Sequence, residues 1–437
     1  MVKFHKLQRR KRKRKLSHLI IVSCCFIFGI ILCLNYGLNY KKMSSTKNNE
    51  NYNNDINIKN NSEPSHNERI KAEATSVVME KRILRNDIFV ARSSGYSSDT
   101  IWENIITLGK NIMTEKMQSK GSIKDSDSEN YLDDLDNNDR LVMIEVGSQS
   151  LHQCLLAAVA QFNTHCIEPS PTSFTNIAFR VSKRIKGLPW LQKYIYLHNV
   201  AAGSESGKML DFSSSGSTGD HVGDFDMWNM KPVTTTDKDS TEKSANIVQV
   251  PSMKMDDLIV YNKVKPYDLN AAQNLPATTA PKIDEVFALK VDTQGFEPSV
   301  FSGLTESLNQ GKIRYILTEY WPKGMDLMNK SSNKCEISVG MLNKILDAGY
   351  KLYALPISVH PHVYRGDNEE MRRKKKRVIR DWKLRPLNDL KADCMYIRDE
   401  LEKLYPSGEG YHMGYWTDIL AVAPGADVNE LLLKEKY

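Results

Sequence analysis

The 437-residue sequence lacks the features that mark several classes of protein. Its seven cysteines form no Cys-x-x-Cys pair and no Cys/His spacing of the kind that binds zinc, so we predict no metal site. The three-glycine GxGxxG motif of dinucleotide-binding folds is also absent. The hydrophobic fraction of 41% and the charged fraction of 26% exclude a wholly disordered chain, a fibrous repeat and a polytopic membrane protein.

Acidic residues are absent from the first 43 residues, which hold eleven Lys or Arg. The rest of the chain carries 49 basic and 53 acidic residues, so the formal net charge of +7 belongs to the N-terminus. Because the body of the chain is net acidic, we expect it to have no nucleic-acid partner.

A membrane anchor is predicted directly after a basic run. Arg9 to Lys15 are seven consecutive basic residues, and the apolar stretch Leu19–Leu34 follows them. A helix over residues 19–40 would cross the roughly 30 Å of hydrocarbon in a bilayer. The basic excess on its N-terminal side predicts a cytosolic N-terminus. We therefore expect a single-pass type II membrane protein of the Golgi or endoplasmic reticulum with a luminal catalytic domain, a cleaved signal peptide being the alternative.

A polar stem is predicted after the anchor. Nine of the 28 residues from Met43 to Ile70 are Asn, and such a segment buries too little apolar surface to fold alone. Four cysteines, at positions 154, 166, 335 and 394, would be luminal, where disulfides form. The sequence leaves all three of their possible pairings open.

The remainder alternates between predicted strands and helices, the pattern of an α/β fold with a mostly parallel sheet. A capping box at Thr100–Glu103 predicts the start of a first helix. Strands are predicted at 141–146, 165–168, 194–200, 287–291, 315–318, 351–355 and 419–423. Helices are predicted at 151–162, 173–185, 298–308 and 339–348. Residues 203–285 read as irregular and polar, with one isolated strand near Ile247–Val250.

Candidate site residues follow four of these strands. Glu145-Val146-Gly147-Ser148-Gln149 ends the first strand, and its glycine permits a tight turn close to a ligand. Glu168 follows the second strand, 21 residues after Gly147, where a carboxylate can accept hydrogen bonds from ribose hydroxyls. Lys290, Asp292 and Glu297 surround the end of a later strand, and Glu319 ends another. Because ligands in such sheets bind at the carboxyl ends of strands, we expect these residues to share one site.

These motifs, in this order, resemble the FkbM-type S-adenosylmethionine-dependent methyltransferases. The resemblance rests on IEVG, IEPSP, HNVAAG, VPSMKMDDL, ALKVDTQGFEPSVFSGL and ILTEYW, and it covers about residues 140–325. It implies a Rossmann-like seven-stranded methyltransferase sheet with helices on both faces. The last strands, Lys351–Leu355 and Ile419–Ala423, would form the terminal hairpin of that sheet.

The resemblance also implies roles for the candidate residues. S-adenosyl-L-methionine would be the cofactor, held by Glu145, Gly147, Ser148, Gln149, Glu168 and Asp292. Asp292, Glu297 and Glu319 would be the catalytic carboxylates. Three positions depart from the family pattern: Glu145 replaces the usual Asp, the second glycine of the turn is missing, and Gln294 stands where an acid is common.

Topology and resemblance together predict O-methylation of a sugar hydroxyl on a glycan. A run of six basic residues, Arg372–Arg377, predicts either a solvated loop or a patch for an acidic acceptor. A luminal type II glycosyltransferase is the first alternative, because Asp224-Phe225-Asp226 and Asp237-Lys238-Asp239 have the D-x-D spacing that can hold a metal and a nucleotide. A non-catalytic relative of the methyltransferase fold is the second.

Domain boundaries follow from these shifts in composition. We predict a cytoplasmic basic tail at 1–18, a transmembrane signal anchor at 19–40, a flexible stem at 41–95, a helical extension with an acidic linker at 96–139, a methyltransferase domain at 140–425 with insertions at 203–285 and 360–410, and a C-terminal tail at 426–437.

Overall fold

A computed structural model describes most of the chain from residue 98 onward. The described residues are 98–119, 135–149, 151–214, 220–223, 225–226, 231–232, 246–269, 280–357, 368–371, 373, 384–404 and 414–431. The predicted basic tail, membrane anchor and stem lie outside these residues. No helix within the described part is long and apolar enough to cross a membrane.

The largest sheet has eight strands. In chain order its members are β1 (Val142–Val146), β2 (Asn163–Ile167), β3 (Ile195–His198), β10 (Val286–Val291), β11 (Ile313–Tyr320), β12 (Lys351–Ala354), β13 (Arg385–Pro386) and β14 (Thr417–Val422). Their spatial order is β13-β12-β14-β11-β10-β1-β2-β3. Strands β3, β2, β1, β10 and β11 run parallel, whereas β14 lies antiparallel between β11 and β12.

The strand order reverses beside β1. From β1 the chain continues to β2 and β3 on one side, and it later returns to β10 and β11 on the other. In open α/β sheets such a reversal leaves a crevice outside the carboxyl ends of the strands, where ligands bind. The predicted α/β class, with its large sheet and terminal hairpin, is confirmed, and the order is consistent with a Rossmann-like methyltransferase fold. The short β13 raises the predicted seven strands to eight.

Helices pack on both faces of this sheet. They are α1 (Ser98–Ser119), α2 (His152–Val159), α3 (Pro171–Gly187), α4 (Met255–Ile259), α5 (Glu297–Ser302), α6 (Thr305–Asn309), α7 (Pro322–Met328), α8 (Glu336–Asp347), α9 (Leu390–Met395), α10 (Leu401–Leu404) and α11 (Val428–Leu431). In β11, Tyr315 and Leu317 join the apolar cluster around α1, while Ile316 joins the opposite cluster with α5 and α8. This alternation is the two-residue period of a strand buried on both faces.

The first helix begins earlier than its sequence signal indicates. Helix α1 already includes Ser98, so the predicted capping box at Thr100–Glu103 lies inside its first turns. The apolar spacing is the better predictor, since Ile101 and Ile105 are fully buried. The single helix predicted over 298–308 is two short helices, α5 and α6, because the chain turns at Gly303 and Leu304.

The polar insertion contains a second sheet, so the prediction of an irregular segment with an isolated strand is wrong. Strands β4 (Ala201–Ala202), β5 (Met209–Ser214), β6 (His221–Val222) and β9 (Asn246–Met253) pair in the order β4-β9-β5-β6. Two shorter strands, β7 (Phe225–Asp226) and β8 (Lys231–Pro232), pair with each other. Leu210 and Phe212 pack in a small apolar cluster of this sheet, and polar residues alternate with them.

Two disulfides settle the pairing that the sequence leaves open. Cys154 in α2 pairs with Cys166 in β2, and we call this bond the α2–β2 disulfide. Cys335, just before α8, pairs with Cys394 in α9 to form the α8–α9 disulfide. All four cysteines are buried. The bonds cross-link the helices to the elements that they cover.

Candidate active site

A cavity of about 270 Å³ lies at the carboxyl ends of β1, β2 and β10. Of the predicted site residues, five border it: Glu145, Gly147, Gln149, Glu168 and Asp292. Lys290 and Gln294 border it as well. The cavity therefore occupies the crevice at the reversal of strand order, and the motifs on three separate strand ends meet there as expected.

Gly147 holds two strand ends together. Its N–H donates to the carbonyl oxygen of Ile167 at 2.9 Å, and the N–H of Asp292 donates to the carbonyl oxygen of Val146 at 3.0 Å. Its φ of +87° is a conformation that favours glycine. A Cβ atom at this position would lie 1.8 Å from the carbonyl oxygen of Asp292. Any larger residue would force apart the loops that follow β1 and β10, which we call the β1 and β10 loops.

Glu145 caps the first turn of α2 from the end of the central strand. Its Oε2 accepts from the N–H of Cys154 at 2.9 Å, so this helix N–H is already paired. Burial raises the pKa of Glu145 to about 7, and the nearby Lys290 opposes that rise. Ser148 is fully buried, and its hydroxyl donates to the carbonyl oxygen of Glu145. Ser148 thus stabilises the turn without bordering the described cavity.

Glu168 presents a carboxyl group from the end of β2. Only 4% of its surface is exposed, and its Oε1 accepts from the N–H of Ser170 at 2.8 Å. Burial raises its pKa to about 8. Because Glu168 borders the cavity, this group faces whatever ligand enters. The prediction that it holds ribose hydroxyls stays a prediction.

Asp292 joins two neighbours at the end of β10. Its Oδ2 lies 3.2 Å from Nζ of Lys290, and its Oδ1 accepts from the side-chain amide of Gln294 at 3.0 Å. The same amide donates to Oε2 of Glu319 at 3.3 Å. About 32% of the Asp292 side chain is exposed, whereas Lys290 is buried. Asp292 is thus accessible from the cavity while its orientation is fixed.

The charges around Asp292 perturb one another. Burial, with repulsion from Asp292, raises the pKa of Glu319 well above its ordinary value. For Lys290, burial disfavours the ammonium, but attraction by Asp292 and Glu145 outweighs this effect and raises its pKa. Burial raises the pKa of Asp418, which lies opposite Glu319 in the β11–β14 pair, to about 7. Within the described residues, Lys290 is the buried cation that contacts Asp292, and the raised pKa values of the surrounding acids favour their neutral forms.

Glu297 stabilises the loop after β10. Its Oε1 accepts from the N–H and the hydroxyl of Thr293, and its Oε2 accepts from the N–H of Gly295 at 2.9 Å. The side chain is fully buried and does not border the described cavity. These contacts hold Gln294 and Gly295 at positive φ, 56° and 96°. The predicted catalytic role of Glu297 stays a prediction, and its described contacts are structural.

The insertion predicted at 203–285 supplies one wall of the cavity, and the sequence analysis does not predict this wall. Phe212, Asp220, His221 and Val222 border the cavity from β5 and β6. Ser170 donates to Asp220 at 3.2 Å and ties this wall to the loop after β2. The usable signal was the alternation of apolar and polar residues in β5. Both predicted D-x-D segments lie wholly or partly outside the described residues.

Within the described part of the chain, no three His, Cys, Asp or Glu side chains are grouped so that they could hold a metal ion. The carboxylates of the site are instead paired with a lysine, an amide or backbone N–H groups. These carboxylates are therefore held in place by neighbouring groups of the chain.

Comparisons with known proteins find likenesses only among solved structures. No family model matches the chain, and no curated protein matches it. Methyltransferase FkbM from Methylobacillus flagellatus KT is 15% identical, with a TM-score of 0.28, over 52% of this chain and 43% of that one. Precorrin-6y C5,15-methyltransferase from Geobacter metallireducens GS-15 is 10% identical, with a TM-score of 0.24, over 65% and 81%. The structure of StiE O-MT residues 942–1257 is 8% identical, with a TM-score of 0.27, over 69% and 74%.

These identities and TM-scores are too low to establish a family. The chain spans less than half the length of the FkbM structure that it resembles.

Proposed function

We propose that this chain is an S-adenosylmethionine-dependent methyltransferase of the FkbM type. The observation that carries the proposal is the meeting of Gly147, Glu168 and Asp292 in one cavity at the reversal of strand order. A buried carboxyl at the end of the second strand, next to a glycine turn at the end of the first, suits a ligand that contains a ribose.

The residues of the cavity fit this cofactor. Its volume, about 270 Å³, is close to the lower end of small-molecule pockets, which begin at roughly 300 Å³. Glu168 would hold the ribose hydroxyls, and Gln149 with the backbone at Gly147 would border the methionine part. When bound, the cofactor supplies a methyl group that is already activated on a sulfonium.

Asp292 is the candidate base within this site. Lys290 and Gln294 orient its two oxygens, and its partial exposure allows an acceptor hydroxyl to approach. A carboxylate in that position can remove the proton that a hydroxyl loses on methylation. Burial and repulsion from Asp292 raise the pKa of Glu319, and this shift favours the neutral form of Glu319 beside Asp292. The protein's main contribution is orientation in a site shielded from water.

We further propose that the acceptor is a sugar hydroxyl of a glycan in the secretory pathway. The predicted anchor at 19–40, with basic residues on its N-terminal side, supports a luminal location in the Golgi or endoplasmic reticulum. The two disulfides also support an oxidising compartment.

Transfer of a radiolabelled methyl group to glycans tests this proposal. We expect the wild-type chain to label a glycan fraction and Asp292→Asn to lose at least about a hundredfold in rate, the usual range for a general base. The variant should still bind S-adenosylhomocysteine, because Asn keeps the size of the side chain. Full transfer by Asp292→Asn would remove this residue from the mechanism.

A thermal-shift comparison separates the proposal from its alternatives. S-adenosylhomocysteine should raise the melting temperature if the chain is a methyltransferase, because a ligand that binds only the folded state stabilises it. Stabilisation by UDP with Mn²⁺ alone would favour a glycosyltransferase. Stabilisation by neither compound would favour a non-catalytic relative of the fold.

A further inference from the structure

A basic groove lies between α2 and α3, and it is separate from the candidate active site. Its volume is about 490 Å³, and none of its lining residues borders the other cavity. Arg180, Lys183 and Arg184 line one side, and the apolar residues Leu151, Leu155 and Leu188 line the remainder together with Gly187. The groove thus combines apolar and cationic lining residues.

The groove carries no acidic residue. None of its described lining residues is Asp or Glu, and the sequence contains no acid from Pro169 to Ser204. Five basic residues fall within that stretch, at positions 180, 183, 184, 186 and 193. This is a local positive field on a body that is net acidic, and such a field attracts anions over a distance set by salt.

An aromatic side chain stands beside these cations. Phe179 in α3 is 68% exposed, and it lies one helical turn before Lys183. The remaining apolar side chains of α3 face the core, with Phe174, Ile177, Val181 and Ile185 buried. An exposed phenylalanine within a basic surface points to a ligand that has both an anionic group and an apolar face.

We propose that this groove binds an acidic oligosaccharide, one that carries sulfate or carboxylate groups. Arginine and lysine pair with those groups, and the C–H faces of sugar rings suit the partly exposed Leu155 and Leu188 and the neighbouring Phe179. The choice of a glycan over an anionic lipid surface rests on the luminal location proposed above. Binding itself does not depend on methyl transfer, so either proposal can fail without the other.

Heparin, a sulfated polysaccharide, is the probe for this groove. We expect the full-length chain to bind it with an affinity that falls as salt is added. Arg180→Ala, Lys183→Ala and Arg184→Ala together should weaken binding by about tenfold or more. Phe179→Ala alone should weaken it by less, without changing the salt dependence.

A matched control removes three basic residues that are exposed elsewhere. Lys110→Ala, Lys265→Ala and Lys351→Ala change the net charge equally, and we expect them to alter heparin affinity by less than about twofold. Circular dichroism melts of both triple variants report that the domain is folded. Equal losses in the two triple variants, unchanged affinity in the groove variant, or binding to phosphatidylserine vesicles but not to heparin would each overturn the proposal.

Discussion

Replacing Gly147 with alanine should separate the strand ends that form the candidate active site. Two costs add at this position. Alanine at a φ of +87° costs about 1–2 kcal/mol, and its Cβ would lie 1.8 Å from the carbonyl oxygen of Asp292. Relieving such a contact in a packed region costs about 1–3 kcal/mol. We therefore expect Gly147→Ala to lower the free energy of unfolding by about 2–5 kcal/mol.

Gly207→Ala is the matched control for this prediction. Gly207 has a similar φ, +79°, but nothing lies within 4 Å of a Cβ atom added there. The control therefore has the conformational cost without the collision, and the change in the unfolded chain is common to both variants. The two variants should therefore differ by about 1–3 kcal/mol in their free energy of unfolding, and this difference is the cost of the contact with Asp292.

Urea denaturation of both variants measures this difference. The collision should also move the backbone that follows β1 and β10 at the cavity, so Gly147→Ala is expected to lose at least about tenfold in affinity for S-adenosylhomocysteine, while Gly207→Ala keeps it. If Gly147→Ala is no less stable than Gly207→Ala, the described approach of the β1 and β10 loops is wrong. If it loses stability but binds normally, the turn does not shape the cofactor site.

Three further predictions follow from the buried acids and the disulfides. Glu297→Gln should lower the melting temperature, because an amide NH₂ would oppose the N–H groups that this carboxylate accepts; a circular dichroism melt checks this. The pKa of Glu168 is raised to about 8 when folded, so wild-type stability should fall as pH rises from about 4.5 to 8, and Glu168→Gln should reduce that fall in melts at several pH values. Removing the α8–α9 disulfide should destabilise the chain more than removing the α2–β2 disulfide, because their sequence separations are 59 and 12 residues. The expected difference from chain entropy is about 1.4 kcal/mol. Urea denaturation of the two double Cys→Ala variants measures it.

The strand ends of the site are predictable from the sequence for a physical reason. Strands β1 and β10 are largely apolar runs, so Glu145 and Asp292 stand out at their ends. Strand β2 is half polar, and Glu168 stands out instead by its spacing of 21 residues from Gly147. Their meeting follows from topology, because parallel strands present their carboxyl ends on one edge of the sheet. The positions of these three residues can therefore be predicted without knowing any side-chain contact.

Other parts of the site depend on contacts that a linear pattern does not contain. In the sequence, Glu297 has the position of a catalytic acid near Asp292. Its three hydrogen bonds, which stabilise the loop after β10, are visible only in the structure. The wall formed by Phe212 and His221 comes from short strands in a polar segment, whose pairing is set by long-range contacts. Disulfide pairing likewise depends on tertiary contacts, between α2 and β2 in one bond and between α8 and α9 in the other.

Equilibrium binding of S-adenosylhomocysteine to the full-length chain tests the central claim most directly. Calorimetric titration of the wild type should show one site. Glu168→Ala should bind at least tenfold more weakly, because about 1.4 kcal/mol or more of hydrogen bonding to the ribose would be lost. Absence of binding by the wild type, or equal binding by Glu168→Ala, would contradict the proposed cofactor site.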